Sequence, residues 1–168
     1  VPNVLHRLVK YLVKDVESLS GRSYEMGKHI FAVGRCNLCH SVDGNGVKLA
    51  PDLTEVAKKY KGLKLLQQII TPSTELNEKF RTYQFLMSDG RVIAGTIFKD
   101  EPDAYQVIPN LLNPRRVLVL PKNQVDEKLA SKISSMPESL LNGLTREQIL
   151  DLVAYLQAGG KADNPVFK

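Results

Sequence analysis

The 168-residue sequence contains no tryptophan, only two cysteines, three histidines and three methionines, and its aromatic content is 7%. Each scarcity excludes something. Two cysteines cannot build a disulfide-dense scaffold, nor a structural zinc site of the four-cysteine kind. With so few aromatics, a large cofactor is expected to fill part of the core that side chains would otherwise occupy. Long apolar runs are also missing: the segment from Val4 to Leu19 is broken by Arg7, Lys10, Lys14, Asp15 and Glu17. No membrane span is therefore expected. The chain starts Val1-Pro2 with neither an initiator Met nor a signal peptide, so it is expected to be a mature product or an excised domain. There is no internal repeat, no low-complexity tract and no nucleic-acid motif.

What is present is ordinary for a globular chain of one domain, with 43% hydrophobic and 24% charged residues. A formal charge of +5 favours anionic partners without saying which kind.

The two cysteines are placed with unusual economy, as Cys36-Asn37-Leu38-Cys39-His40. C-x-x-C-H is the arrangement for covalent attachment of c-type haem, with both thiols forming thioethers and the adjoining histidine reaching the iron. Shuffling a chain with two Cys and three His would produce it about once in five thousand trials, so chance is a poor account. A zinc site would need further ligands, and His6 and His29 lack the usual spacing. A thioredoxin-like redox pair would need a preceding strand, whereas Ser23 to Arg35 reads as a helix. The expected cofactor is one covalently bound haem c, and covalent attachment implies an exported, periplasmic or equivalent location.

Apolar periodicity over Val4, Leu5, Leu8, Val9, Leu12, Val13 and Val16 predicts an amphipathic helix in residues 1–20, packed on the haem domain or left over from a preceding one. Ser23 is the expected N-cap of a second helix, stopped by Gly34 just before the cysteines. Short helices are predicted at Leu53–Tyr60 and Leu63–Ile70. Residues 80–125 then change character: Tyr83–Met87 and Arg91–Phe98 around Ser88-Asp89-Gly90 predict a hairpin, followed by strands near 104–108 and 117–120. Thr145-Arg146-Glu147-Gln148 is a capping-box pattern opening a last helix through Ile149, Leu152, Val153 and Leu156, which Gly159-Gly160 ends. The expected organisation is a haem domain over 21–160 with a β insertion at 80–125 and a tail at 161–168. The expected fold class is mainly α, a helical domain around haem with a small inserted antiparallel sheet.

The second axial ligand decides whether the iron moves electrons or binds small molecules. Met26, Met87, Met136, His6 and His29 are the available Met and His residues outside the motif. Met87 and Met26 read as packing residues. Met136, in the irregular segment Ser134-Ser135-Met136-Pro137, reads equally as a ligand or as a gap-filler.

Cys36-x-x-Cys39-His40, Ala50-Pro51-Asp52-Leu53, Met136-Pro137, Leu144-Thr145 and Leu152-Val153-Ala154-Tyr155-Leu156 together resemble a c-type cytochrome over residues 23–158. The inserted Asp89-Gly90-Arg91 hairpin is most similar to that of the planctomycete-type haem-binding domain, found at the C-terminal end of large dehydrogenase-like polypeptides. The resemblance implies Cys36 and Cys39 as attachment points and His40 and Met136 as the two axial ligands. It also implies Pro51 as the carbonyl that orients the His40 ring, although Ala50 stands where glycine is usual. Gly27 and Phe31 are implied to pack near Tyr155 where the terminal helices cross. The implied function is electron transfer between a donor enzyme or domain and an acceptor, with no catalysis of its own. Its donor and acceptor would be proteins, acidic or fused in the parent chain, with Lys58, Lys59, Lys61 and Lys64 steering them or simply forming a solvated face. The competing expectation is a haem sensor or ligand-binding module in which Met136 is absent from the iron.

Overall fold

A computed structural model describes residues 2–168, with side chains from Lys10 onward, so His6 and the first apolar positions of the N-terminal helix lie outside the described side chains. The chain divides into two compact units, Val1–Pro72 with Pro137–Lys168, and Ser73–Met136.

The first unit holds four helices: α1 (Pro2–Glu17), α2 (Tyr24–Val33), α3 (Gly62–Ile70) and α4 (Arg146–Gln157). α4 is the centre of this unit, since every residue from Ile149 to Leu156 is buried. Its start is held by the capping box, with Gln148 N–H donating to Thr145 Oγ1 and Thr145 N–H donating to Gln148 Oε1 at 2.9 Å. α2 starts at the Ser23 cap, whose Oγ accepts from Met26 N–H at 3.1 Å. α2 crosses α4 with almost no gap: a Cβ on Gly27 would lie 2.4 Å from the Asp151 carbonyl oxygen and 2.6 Å from Tyr155 Cβ. Phe31 packs beside this crossing, its ring centroid 5.7 Å from that of Tyr155.

α1 buries Leu12 and Val16. Its end is tied to two other helices: the Glu17 carboxylate accepts the Leu63 N–H of α3 at 2.8 Å, and Asp15 pairs with Arg146 of α4 at 2.8 Å. The last residues do not trail away. Gly21 N–H and Arg22 N–H donate to the carbonyls of Lys168 and Val166, and Phe167 meets the Tyr24 ring edge-on.

Gly34 ends α2 as expected, at φ −72°, and the left-handed residue that follows is Arg35 at φ 63°. Glycine is needed there for room, because a Cβ would sit 2.7 Å from the Ile30 carbonyl oxygen. The helix expected at Leu53–Tyr60 shrinks to a single 3-10 turn at Val56–Lys58. Asp52 takes the Thr54 N–H with its side chain at 2.8 Å, and Thr54 and Glu55 form a turn before the 3-10 residues begin.

Residues 41–46 form a minute hairpin, β1 (Ser41–Val42) and β2 (Asn45–Gly46). Its turn residues Asp43 and Gly44 both have positive φ, at 49° and 77°, which is the twist a two-residue hairpin needs.

The second unit is a five-stranded antiparallel sheet of β3 (Thr82–Met87), β4 (Val92–Asp100), β5 (Ala104–Ile108), β6 (Leu118–Pro121) and β7 (Val125–Ala130), in the order β6-β5-β4-β3-β7. β6 and β7 are opposite edges, yet only Lys122–Gln124 joins them. Four residue steps reach about 14 Å, whereas a flat sheet of this width spans about 19 Å. The sheet must therefore coil toward a barrel. Phe85, Met87, Val107 and Leu120 form its buried core, with Tyr83, Ile93, Ile97, Tyr105, Leu118 and Val125 packed against them. Lys128 of β7 lies over the rings of both Tyr83 on β3 and Tyr105 on β5, at 5.2 and 5.0 Å.

The expected fold class is overturned by this sheet. Strands of six, nine, five, four and six residues are found along with helices of 16, 10, 9 and 12, so the chain is not mainly α. The expectation undercounted strands because β7 carries Asp126, Glu127 and Lys128 in a row, and all but Val125 of its residues are exposed. A polar edge strand has no apolar alternation to read.

Candidate functional site

The left-handed Arg35 turns the chain out of α2 directly into a 3-10 turn at Cys36–Leu38. Within that turn, Cys39 N–H and His40 N–H both donate to the Cys36 carbonyl, at 3.2 and 2.9 Å. Both thiols and the imidazole are thereby presented by five consecutive residues. The thiols are free rather than joined in a disulfide. Burial pushes the Cys36 thiol up to about 11, and burial raises Cys39 as well.

The segment 47–54 runs back along this turn and holds it. Val47 N–H donates to Asn37 O at 3.2 Å, and Leu49 and Ala50 N–H both donate to Cys39 O, at 3.0 and 2.9 Å. Gly46 makes the return possible: its φ is 108°, and a Cβ there would lie 2.2 Å from the His40 carbonyl oxygen.

His40 Nδ1 lies 2.7 Å from the carbonyl oxygen of Pro51. A carbonyl can only accept, so Nδ1 carries the proton and Nε2 keeps its lone pair. Burial lowers the pKa of the imidazole against the opposing pull of that hydrogen bond, which favours the neutral ring. A neutral imidazole with a free Nε2 is the ligand form of histidine.

These residues fit covalent haem. Two unpaired thiols separated by two residues would supply thioether sulfurs, and Nε2 would supply a nitrogen ligand to the iron. Leu38 and Val47, within the turn and its return segment, leave 38% and 44% of their surface exposed, which gives apolar surface for a flat hydrophobic group. A metal site made by side chains alone is not supported: among the described residues no group of three or more His, Cys, Asp or Glu is gathered.

The structure thus brings Cys36, Cys39, His40 and Pro51 together in the first unit. Met136 is the last residue of the second unit, and its N–H donates to Ser134 Oγ while Ser134 N–H donates to Ser73 Oγ, both at 3.1 Å. Met87 is buried in the sheet core. Met26, on α2, is 38% exposed, and His29 is exposed. Of the lysines singled out, Lys58 pairs with Glu55 at 2.6 Å and Lys59 lies over the Tyr60 ring at 4.6 Å. Lys58 and Lys61 line an open groove with Thr54, Ala57 and Gln157.

Sequence reasoning missed two residues here. Ser41, which has no exposed surface, donates its hydroxyl to Asp52 Oδ2 at 2.6 Å. Their signal was adjacency: each immediately follows a partner of the His40–Pro51 contact.

Residues 24–101 match the family model for cytochrome c. The match runs from the first residue of α2 through the Cys36–His40 turn and Pro51 into β4, and it supports a c-type cytochrome that binds haem and transfers electrons. No curated protein matches the chain. Among the described residues no helix is long and apolar enough to cross a membrane.

Proposed function

We propose that the chain is a single-haem c-type cytochrome that passes electrons between a donor enzyme or domain and an acceptor, with His40 and Met136 as axial ligands. The observation that carries the reading is the Cys36–His40 turn, where two unpaired thiols adjoin a histidine whose Nδ1–H is already committed to Pro51 O. Bound haem supplies a one-electron Fe(III)/Fe(II) couple.

The chain's own residues do the rest. Cys36 and Cys39 attach the group, so it stays bound in both oxidation states. Pro51 fixes the His40 tautomer and ring orientation, which keeps Nε2 aimed while the charge on the iron changes. Met136 is favoured as second ligand because Pro137 follows and stiffens the chain, and because a thioether beside an imidazole raises the potential into a range suited to a carrier. The finer likeness, to the planctomycete-type haem-binding domain of larger dehydrogenase-like chains, rests on the same residues together with the inserted sheet. An exported location follows from covalent attachment. Lys61 and Lys64 on the α3 side are available to steer an acidic partner or an acidic domain of the same polypeptide.

The test is spectroscopic, on protein matured with haem. Covalently bound haem with a ferric sulfur-to-iron charge-transfer band, lost in Met136→Ala, is the expected result. Loss of the band in Met26→Ala instead would reassign the ligand. A wild-type protein without the band that binds carbon monoxide readily would be a sensor or ligand-binding module.

A further inference from the structure

We infer that Ser41 and Asp52 are positioning residues that set the strength of the His40 Nδ1–H to Pro51 carbonyl bond, and through it the electron donation of the imidazole to the iron. The inference rests on the haem reading above and concerns residues that reading does not use.

Pro51 has no N–H and so cannot be anchored by its own backbone donor. Its neighbours anchor it. On one side Ala50 N–H donates to Cys39 O at 2.9 Å; on the other Leu53 N–H donates to Ser41 O at 2.8 Å. Between them, residues 40 and 41 face residues 51 and 52 through two side-chain bonds in register: His40 Nδ1–H to Pro51 O, and Ser41 Oγ–H to Asp52 Oδ2 at 2.6 Å. The carboxylate's other oxygen accepts Thr54 N–H at 2.8 Å.

Asp52 could form its turn with Thr54 alone, so the Ser41 bond is additional. Ser41 is fully buried, and its hydroxyl needs an acceptor. The acceptor it has is charged, which makes the bond short and strong. Hydrogen bonds from Ser41, from Thr54 N–H and from the Thr54 hydroxyl hold the Asp52 carboxyl down at about 2, with Lys48 adding a smaller attraction. A peptide pinned by a charge-assisted bond one residue away cannot swing its carbonyl off the imidazole. A firmer acceptor at Nδ1 makes the ring a better donor through Nε2, which favours Fe(III).

The experiment uses the haem-loaded protein and three variants, Ser41→Ala, Asp52→Asn and the double. Reduction potential is measured, together with exchange of the His40 Nδ1 proton by NMR in the diamagnetic ferrous form. Both single variants are expected to raise the potential and to speed that exchange, and the double is expected to move neither much beyond the larger single effect, because the same charge-assisted bond is removed or weakened in all three. A Ser41→Ala protein of lowered stability but unchanged potential would overturn the inference and leave a structural bond. A shift in Asp52→Asn alone would also overturn it, since the field of the carboxylate would then suffice. Asp52 is exposed, so Asp52→Asn tests the idea even if the buried Ser41→Ala folds poorly: an unchanged Nδ1 proton there is equally fatal. Absence of covalent haem from the wild type would defeat the haem reading itself, a different failure.

Discussion

Gly27 touches Asp151: a single added carbon on the glycine would fall 2.4 Å from the Asp151 carbonyl oxygen, inside any permitted contact. The α2–α4 crossing is therefore set by the absence of a side chain, and the Cys36–His40 turn hangs from the end of α2. Asp151 contributes twice, since its side chain also accepts Ser23 N–H at 3.0 Å at the start of α2. Gly27→Ala is expected to force the helices apart and to destabilise the protein by about 1–3 kcal/mol, the usual penalty for overpacking. Chemical denaturation of the haem-loaded protein measures it; a change below a few tenths of a kcal/mol would mean that the crossing yields easily.

Glu17 acts as a cap borrowed from another helix. α3 has Lys61 at its N-cap with no side-chain cap of its own, and Glu17 of α1 accepts the Leu63 N–H instead. Its negative charge also suits the positive end of the helix. Glu17→Ala is expected to cost about 1 kcal/mol in denaturant unfolding, the common value for a lost cap. Glu17→Gln, which keeps an acceptor oxygen, is expected to recover part of that loss.

Asp52 makes acid stability dependent on one surface carboxylate. Its pKa falls from 3.8 to about 2 in the folded state, chiefly through the hydrogen bond from Ser41. The stabilisation is therefore complete above about pH 4 and is lost as pH falls toward 2, where the carboxyl protonates in both states. Unfolding followed from pH 5 to pH 2 is expected to fall less steeply in Asp52→Asn than in wild type. Equal slopes would remove Asp52 from the acid response.

In haem-free protein the thiols are expected to be sluggish. Raising Cys36 from 9.0 to about 11 reduces its thiolate fraction near neutral pH by roughly a hundredfold. Alkylation by iodoacetamide, resolved by peptide mass, is expected to label Cys36 far more slowly than a model thiol at pH 8, with a rate still rising beyond pH 10. Cys39 is raised too, through burial, and is expected to be slow as well. Rapid labelling of Cys36 would show that the turn opens freely without haem.

Much of the site was legible because it is local. Cys36, Cys39 and His40 lie within five consecutive residues, and Thr145 with Gln148 formed the capping box at its expected place. Pro51 was reached only through resemblance, since nothing in the eleven residues after His40 announces which carbonyl meets its ring. The inserted sheet was half legible. β3 and β4 alternate around an Asp-Gly turn and could be read; β7 is polar, and its pairing with β3 joins residues far apart in the chain. The helix expected at Leu53–Tyr60 is only the 3-10 turn Val56–Lys58, a difference that apolar periodicity over eight residues does not register.

The attachment motif for the proposed haem is legible in the chain alone, because it is a matter of adjacent residues and their spacing. The starts of α2 and α4 are equally local, since the Ser23 and Thr145 caps each act on an N–H three positions on. Only the tertiary structure decided the state of His40, the link from Ser41 to Asp52, the cap lent by Glu17 and the extent of the sheet. Each of these joins residues separated along the chain. Hydrogen bonds and close packing depend on distance in space, which a linear pattern does not contain until the chain has folded.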